Sequence, residues 1–414
     1  MKGSVFLKGM SRLPVLIFVI TACCFITFQI TYNLTDSRWK ERVGQMLETE
    51  SVEVSSGLGE LTGVISDNYF YEIKSENLTT GAMSGLVESL PDNFSMYMDK
   101  DAYNDYLTFR NSYSNTGVGV STLYDSSLEG IYIVNVNKAS PAEQAGIVPG
   151  DIITHINDES VKDMGFYGAM VELGTGKTET QLHVSLRKTD GRIQTVTLTR
   201  SVVSAETITG EKLSRNTGLI RINSFAAGEE ELLKTVMEGL IVSGCEKFVI
   251  DVRNNHGGNI ETISRILDFL LKEGALFTVT DKTGATNTIT SDTNSSPYPM
   301  AVLINKGTVC GAEVFASALG RFQAAKLVGN VTYGKASTQS VFTLSSSDAV
   351  SLSTTIYANP DGTTFDKTGV VPDIEVSLSA EDTARFTMLK RSEDAQLQAA
   401  IEYLDTQNDV VNHD

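Results

Sequence analysis

Cys310 stands in NKGTVCGAEVFASALG, residues 305 to 320, between an apolar strand-like run and a helix of small apolar residues. On residue type alone a lone thiol is packing. At a turn from a buried strand into a helix it gains more, because N–H groups at a helix N-terminus lower a thiol pKa and can hold an oxyanion. A nucleophile also needs a base, and the chain offers two: Lys335 in VTYGKASTQ, and His256 in RNNHGG. The chemistry such a set permits is covalent attack on a carbonyl, with one of the two bases taking the thiol proton. A thiol starts near ~8.5, so its thiolate is easier to generate than an alkoxide and can pair with Lys335. His256 offers a base nearer neutral pH, or is a histidine that merely fills a turn.

Other elements must bring these loops together. After Ser204 the order is strand, helix, strand, helix. GLIRINSF reads as a strand, and EEELLKTVMEGLIVSG places Leu232, Leu233, Val236, Met237, Leu240 and Ile241 at helical spacing and ends on Gly244. FVIDV is a nearly all-apolar strand, NIETISRILDFLLKEG a helix to Gly274, PMAVLIN a buried strand, GAEVFASALG a helix and AKLVG a last short strand. The alternation predicts a mainly parallel α/β sheet covered by helices on both faces, with functional loops at the C-terminal strand ends. DVRNNHGGN and NKGTVCGAE fall at two such ends. Upstream, TGVGVSTLY, GIYIVNV, GDIITHIN, QLHVSLRK and QTVTLTR are short β-like runs, with SPAEQAGIVPGD a short helix closed by Gly146. They describe a barrel-like unit of about 90 residues, large enough to fold alone. Residues 36 to about 113 show helical spacing and no chemistry.

Composition removes several classes. Of 414 residues 33 are basic and 51 acidic, a net charge of -18 that repels phosphate backbones and excludes nucleic acid as a partner. Lys2, Lys8 and Arg12 precede LPVLIFVITACCFITFQITY, residues 13 to 32, an uncharged run of about the ~20 residues a spanning helix needs. The basic flank predicts a cytoplasmic N-terminus, with everything after residue 33 outside. The run exceeds the ~7 to 15 apolar residues of a cleaved signal. It also stays apolar after Cys23, unlike a lipidation site at Ile20-Thr21-Ala22-Cys23, so an uncleaved signal anchor is the expectation. Cys245 and Cys310 remain for the exported part, too few for a disulfide framework or a zinc cluster, and no metal or cofactor is expected. A bridge between the two is allowed outside the cytoplasm. Cys245, in GCEKFVIDV, reads as a packed residue. GTGKT at 174 to 178 is no phosphate loop, since the required upstream glycine is Val171.

TGVGV followed by SPAEQAGIVPGDIITHIN resembles a PDZ domain. The resemblance implies that Gly117, Val118, Gly119 and Val120 offer backbone N–H groups to a peptide's terminal carboxylate while the peptide adds a strand to the sheet edge. DVRNNHGG, then NKGTVCGAEVFASAL, then YGKASTQ, with GVVPD later and the PDZ-like unit before, resembles the carboxyl-terminal processing, or tail-specific, proteases. The similarity runs from about residue 60 to 380. Those enzymes use a serine and a lysine supported by a glutamine, the nucleophile standing three residues before a glutamate and 25 before the lysine. Here 313 − 3 = 310 and 335 − 310 = 25. The resemblance therefore puts Cys310 in the serine's place, Lys335 in the lysine's, and Gln339 where it orients the lysine amine. The oxyanion donors are then expected among the backbone N–H groups of Gly257 or Gly258 and of Gly311, where glycine lets backbones approach. Two positions depart from the family: cysteine replaces serine at 310, and His256 stands where proline is common.

The resemblance implies an α/β protease core with an inserted PDZ domain, a small β-barrel with helices, and the uncharged run at 13–32 puts an N-terminal transmembrane helix ahead of them. Its divisions are 1–12 cytoplasmic tail, 13–32 anchor, 33–113 helical region, 114–203 PDZ domain, 204–385 protease core and 386–414 C-terminal helix and tail. The implied function is a membrane-anchored extracytoplasmic endopeptidase that captures unstructured protein C-termini and cuts them through a thioester. A catalytically silent, membrane-tethered PDZ scaffold is the rival reading. Helical segments at both ends offer surface for a homodimer, or pack on their own core.

Overall fold

The computed structural model describes residues 52–111, 116–203, 207–213, 216–292 and 296–411. The expected anchor over residues 13–32 lies outside them; among the described residues no helix is long and apolar enough to cross a membrane. The chain forms two compact units, Met1–Ala82 and Met83–Asp414. The described part of the first is helical, over 52–68 and from the start of Ser75–Glu88.

At the centre of the second unit lies a six-stranded sheet in the order Ile208–Lys212, Thr217–Ile222, Lys247–Asp251, Met300–Ile304, Ala325–Gly329, Ile374–Glu375. Only the first pair is antiparallel. Parallel neighbours need crossovers, and here helices Glu230–Val242, Ile260–Leu270 and Gly311–Arg321 lie in them. Lys247–Asp251 and Met300–Ile304 are buried along their whole length, which is why they read as apolar runs without alternation. On one face Ile220, Phe248, Ile250 and Val302 pack with Leu233, Met237, Ile266 and Phe315 of the helices. On the other, Leu219, Val249, Ala301 and Leu303 receive Leu397, Ala400 and Leu404 of helix Ala395–Val411. Both faces are thus covered, and the C-terminal helix spends these apolar residues on its own core.

AKLVG is not the last strand, and the helix of NIETISRILDFLLKEG stops at Leu270, with a new strand starting at Gly274. Gly274–Asp281, Thr286–Ser291, Ser337–Thr343, Ala349–Ala358 and the short Met96–Met98 form a second sheet. Hydrophobic periodicity does not mark the long Ser337–Thr343 and Ala349–Ala358 pair, because hydroxyls hold much of it together. Thr338 and Thr355 oxygens lie 2.5 Å apart, and those of Ser340 and Thr354 2.8 Å.

The inserted module has its own sheet, ordered Val120–Tyr124, Ile131–Val136, Ile152–Ile156, Gln181–Arg187, Ile193–Thr199, all antiparallel. Its core of Val118, Ile131, Ile133, Ile153, Leu182 and Val184 is separate from that of the larger sheet. Helix Pro141–Gln144 stands where SPAEQAG predicts it, with the Ser140 hydroxyl accepting the Glu143 N–H at 3.2 Å.

A buried ion network anchors the strand end that carries RNNHGG. Arg253 pairs with Asp251 and Asp394 at 2.8 and 2.7 Å, and Arg221 approaches Asp251 at 3.1 Å. Burial alone raises the Asp251 pKa, but the two guanidinium groups outweigh it and hold the carboxyl down to about 2. Its contribution to stability is therefore full above the unfolded value of ~3.9 and is lost as pH falls towards 2.

Candidate active site

Cys310 has φ 54° and ψ −116°, a conformation non-glycine residues rarely adopt, and it immediately precedes helix Gly311–Arg321. A strained turn from strand to helix thrusts a side chain out at the helix N-terminus, as a nucleophile requires. What holds the strain is Glu313, fully buried one turn into the helix. Its Oε2 accepts the Cys310 N–H at 2.8 Å and the Lys335 N–H at 2.9 Å. Its Oε1 accepts the Thr332 hydroxyl at 2.5 Å and the Gly334 N–H at 2.7 Å. One carboxylate thus clamps the backbone of Cys310 to that of Lys335. Burial pushes the Glu313 pKa up, while these hydrogen bonds pull against it. Thr332 is itself tied to Val370 in GVVPD, whose N–H donates to its hydroxyl at 2.6 Å.

In the sequence Glu313 is only a spacing mark, and Thr332 carries no signal. Glu313→Gln leaves two donors facing an amide NH₂, a loss of ~1.5 to 3 kcal/mol for charge-assisted bonds. Cleavage is expected to fall about 10- to 100-fold in kcat with KM little changed. Steady-state kinetics on the variant decide it, and an unaltered kcat refutes the clamp.

Lys335 reaches Gln339, its Nζ donating to Oε1 at 2.9 Å, and lies 4.6 Å from the centroid of the Phe94 ring. The lysine and glutamine singled out in the sequence are therefore in contact. The glycines also converge. A Cβ on Gly257 comes within 2.7 Å of the Gly311 nitrogen, and one on Gly311 within 3.6 Å of the Gly258 nitrogen. Between Gly257 and Gly258 the structure discriminates: the Gly257 N–H is spent on Asn255 Oδ1 at 2.8 Å, whereas the Gly258 N–H donates none of the hydrogen bonds found among the described residues. The Gly311 N–H is directed at the Cys310 sulfur. The Gly258 N–H is thus left open near the Gly311 N–H that neighbours the sulfur.

Burial pushes the Cys310 thiol pKa up, and the pull of Lys335 and of the Gly311 N–H only partly offsets it. The direction of this shift runs against the thiolate–lysine ion pair that reference values suggest. Burial also pushes the His256 imidazole pKa down, with the Lys335 charge adding to the effect. No described hydrogen bond links the His256 ring to Cys310. Cys245 is buried in the main core, and both cysteines are free.

In the inserted module the TGVGV loop is partly engaged. The Val118 N–H donates to Leu173 O at 3.2 Å, so it is not the free donor the resemblance implies. Gly119 takes φ 82°, and Val120 opens the edge strand. Beside that strand lies helix Phe166–Gly174, whose Met170 sulfur accepts the Thr122 hydroxyl at 3.0 Å and whose Phe166 ring sits 5.4 Å from that of Tyr124. An edge strand beside a helix is the arrangement into which an extended peptide adds a strand.

Residues 216–376 match the description Peptidase family S41, residues 132–184 PDZ domain, and residues 20–102 Activating protease CtpB N-terminal domain. The chain is similar to the carboxy-terminal processing protease CtpA of Bacillus subtilis (strain 168), 27% identical over 371 residues, which cover 89% of this chain and 78% of that protein. It is also similar to the chloroplastic carboxyl-terminal-processing peptidase 2 of Arabidopsis thaliana, 28% identical over 307 residues, 70% of this chain and 59% of that one. Among solved structures the photosystem II D1 C-terminal processing protease superposes with a TM-score of 0.64 at 25% identity, covering 79% of this chain and 89% of that one.

Proposed function

The chain belongs to peptidase family S41 as a carboxyl-terminal processing protease with a PDZ domain, and on that premise we propose that it cleaves with cysteine in the nucleophile's place. The observation that carries this is the single Glu313 carboxylate holding the backbones of Cys310 and Lys335 together. The scissile carbonyl carbon meets the Cys310 sulfur, and its oxygen faces the N–H groups of Gly258 and Gly311. As the S–C bond forms, the thiol proton passes to Lys335 Nζ, a step that takes the amine in its neutral form, with its lone pair free to accept. Collapse of the tetrahedral species breaks the C–N bond, and the lysine returns the proton to the leaving amine. Water then attacks the thioester with Lys335 again as base, releasing the carboxylic acid and restoring the thiol. Gln339 holds one N–H of the lysine so that the amine's direction is fixed.

The substrates in this reading are proteins with unstructured C-termini, bound along the edge strand Val120–Tyr124. The uncharged run at 13–32, behind Lys2, Lys8 and Arg12, supports a single-pass anchor that keeps the catalytic part outside the cell membrane. The test incubates the full chain in detergent with a protein bearing an unstructured apolar C-terminus, beside Cys310→Ala and Cys310→Ser. Shortened products by mass spectrometry from the natural chain and none from Cys310→Ala are expected. Binding without products from both the natural and the Cys310→Ser chains overturns the reading in favour of a peptide-binding scaffold.

A further inference from the structure

A glutamine amide can turn either end towards a lysine, and only its oxygen accepts. Something must therefore occupy the NH₂ of Gln339. Its Nε2 donates to Ser353 Oγ at 3.0 Å and to Ser337 Oγ at 3.2 Å. Ser353 stands opposite Gln339 on the paired strand, just after a register shift between Thr338 and Gln339, and such bulges re-aim side chains. A hydroxyl that accepts from a glutamine is best held when its own proton has another acceptor. That of Ser353 goes to Asp92 Oδ1 at 3.1 Å.

Asp92 is a terminus for such a chain, since a carboxylate only accepts. Its Oδ1 also takes the N–H groups of Phe94 and Ser95 at 2.9 and 2.8 Å, and its Oδ2 the Ser95 hydroxyl at 2.8 Å. Burial opposes its charge, but these hydrogen bonds outweigh it and keep the carboxyl below its ordinary value. Ser95 Oγ in turn accepts the Ser353 N–H at 3.0 Å, so the turn grips the same residue twice. The polarity of the whole series is then set from one end: Lys335 donates to Gln339, Gln339 to Ser353, Ser353 to Asp92. The same turn carries Phe94, whose ring lies 4.6 Å from Lys335 Nζ, within the range of a cation–π contact.

We propose that the turn Asp92–Ser95 and Ser353 position the catalytic lysine, Asp92 and Ser353 by locking the Gln339 amide with its oxygen towards Lys335, and Phe94 by packing on the amine. The proposal rests on Lys335 being the base for Cys310. The alternative is that the turn merely fastens strand Met96–Met98 to its neighbour Ala349–Ser351.

The experiment compares the natural full chain with Ser353→Ala, Ser353→Thr, Phe94→Leu and Lys335→Met. The readouts are kcat, KM, melting temperature and the pH profile of iodoacetamide alkylation at Cys310. Ser353→Ala is expected to lower kcat about 10- to 100-fold with KM within about twofold, and to move the alkylation profile to higher pH as the lysine loses its place. Ser353→Thr, which keeps the hydroxyl, restores most of both. Phe94→Leu, an independent variant should Ser353→Ala not fold, lowers kcat in the same direction. Should the natural chain not cleave, the alkylation profile still reads the lysine's position. Ser353→Ala and Phe94→Leu that melt lower but keep kcat and the natural alkylation profile overturn the proposal while Lys335→Met still abolishes both behaviours. A Lys335→Met chain that behaves as the natural one overturns the base assignment itself.

Discussion

Lys335→Met is expected to cut cleavage by about 10²- to 10⁴-fold, the range a positioned base supplies, and to make Cys310 slower to alkylate at any pH near neutrality. Both effects come from one amine. Burial raises the Cys310 pKa, and Lys335 is the first influence pulling it back. Removing that charge leaves burial less opposed, so the thiol ionises at higher pH and holds less thiolate at a fixed lower one. Alkylation rates between pH 7 and pH 10 on the natural and Lys335→Met chains give the two profiles directly. In the natural chain, too, alkylation and cleavage should rise together with pH. His256→Ala is the companion measurement. Its imidazole makes no described hydrogen bond to Cys310, so cleavage should change by less than about threefold. If instead His256→Ala silences the chain and Lys335→Met does not, the roles of the two bases are exchanged.

Gly258→Ala is expected to lower kcat/KM by at least about 10²-fold, the effect of losing one oxyanion donor. It should also cost about 2 to 4 kcal/mol of stability. A Cβ there would lie 2.1 Å from the carbonyl oxygen of Phe225, at φ 147°, so the backbone itself must move. Since the Gly258 nitrogen neighbours Gly311, that movement withdraws an N–H from beside the nucleophile. Alkylation of Cys310 separates this loss from global unfolding, because a folded variant keeps a thiol with the natural reactivity. Cleavage at the natural rate by Gly258→Ala would rule out Gly258 as a donor.

The chemistry was more legible in the chain than the architecture that supports it. FVIDV and PMAVLIN declare themselves because strands buried on both faces are apolar throughout. The offsets from Cys310 to Glu313 and Lys335 survive in the sequence because the turn and the clamp fix them. Residues 337–343 and 349–358 stay silent because their cross-strand contacts are hydroxyl pairs, which leave no apolar period. Phe94 beside Lys335, and Asp92 beside Ser353, are invisible because nothing local links a turn before the inserted module to a strand pair near the other end of the chain. The choice between Gly257 and Gly258 depends on a single hydrogen bond from the Gly257 N–H to Asn255, and the upward shift of the thiol pKa on the surroundings that partly bury it. Neither can be read from residue type.

The same partial burial of Cys310 bears on how long the molecule lasts. Peroxides and disulfides are attacked by thiolate, and a thiol held protonated presents little of it. In an oxidising compartment a cysteine nucleophile that rested as an ion pair would be consumed between substrates. A thiol whose pKa burial raises presents less thiolate to such oxidants at a given pH.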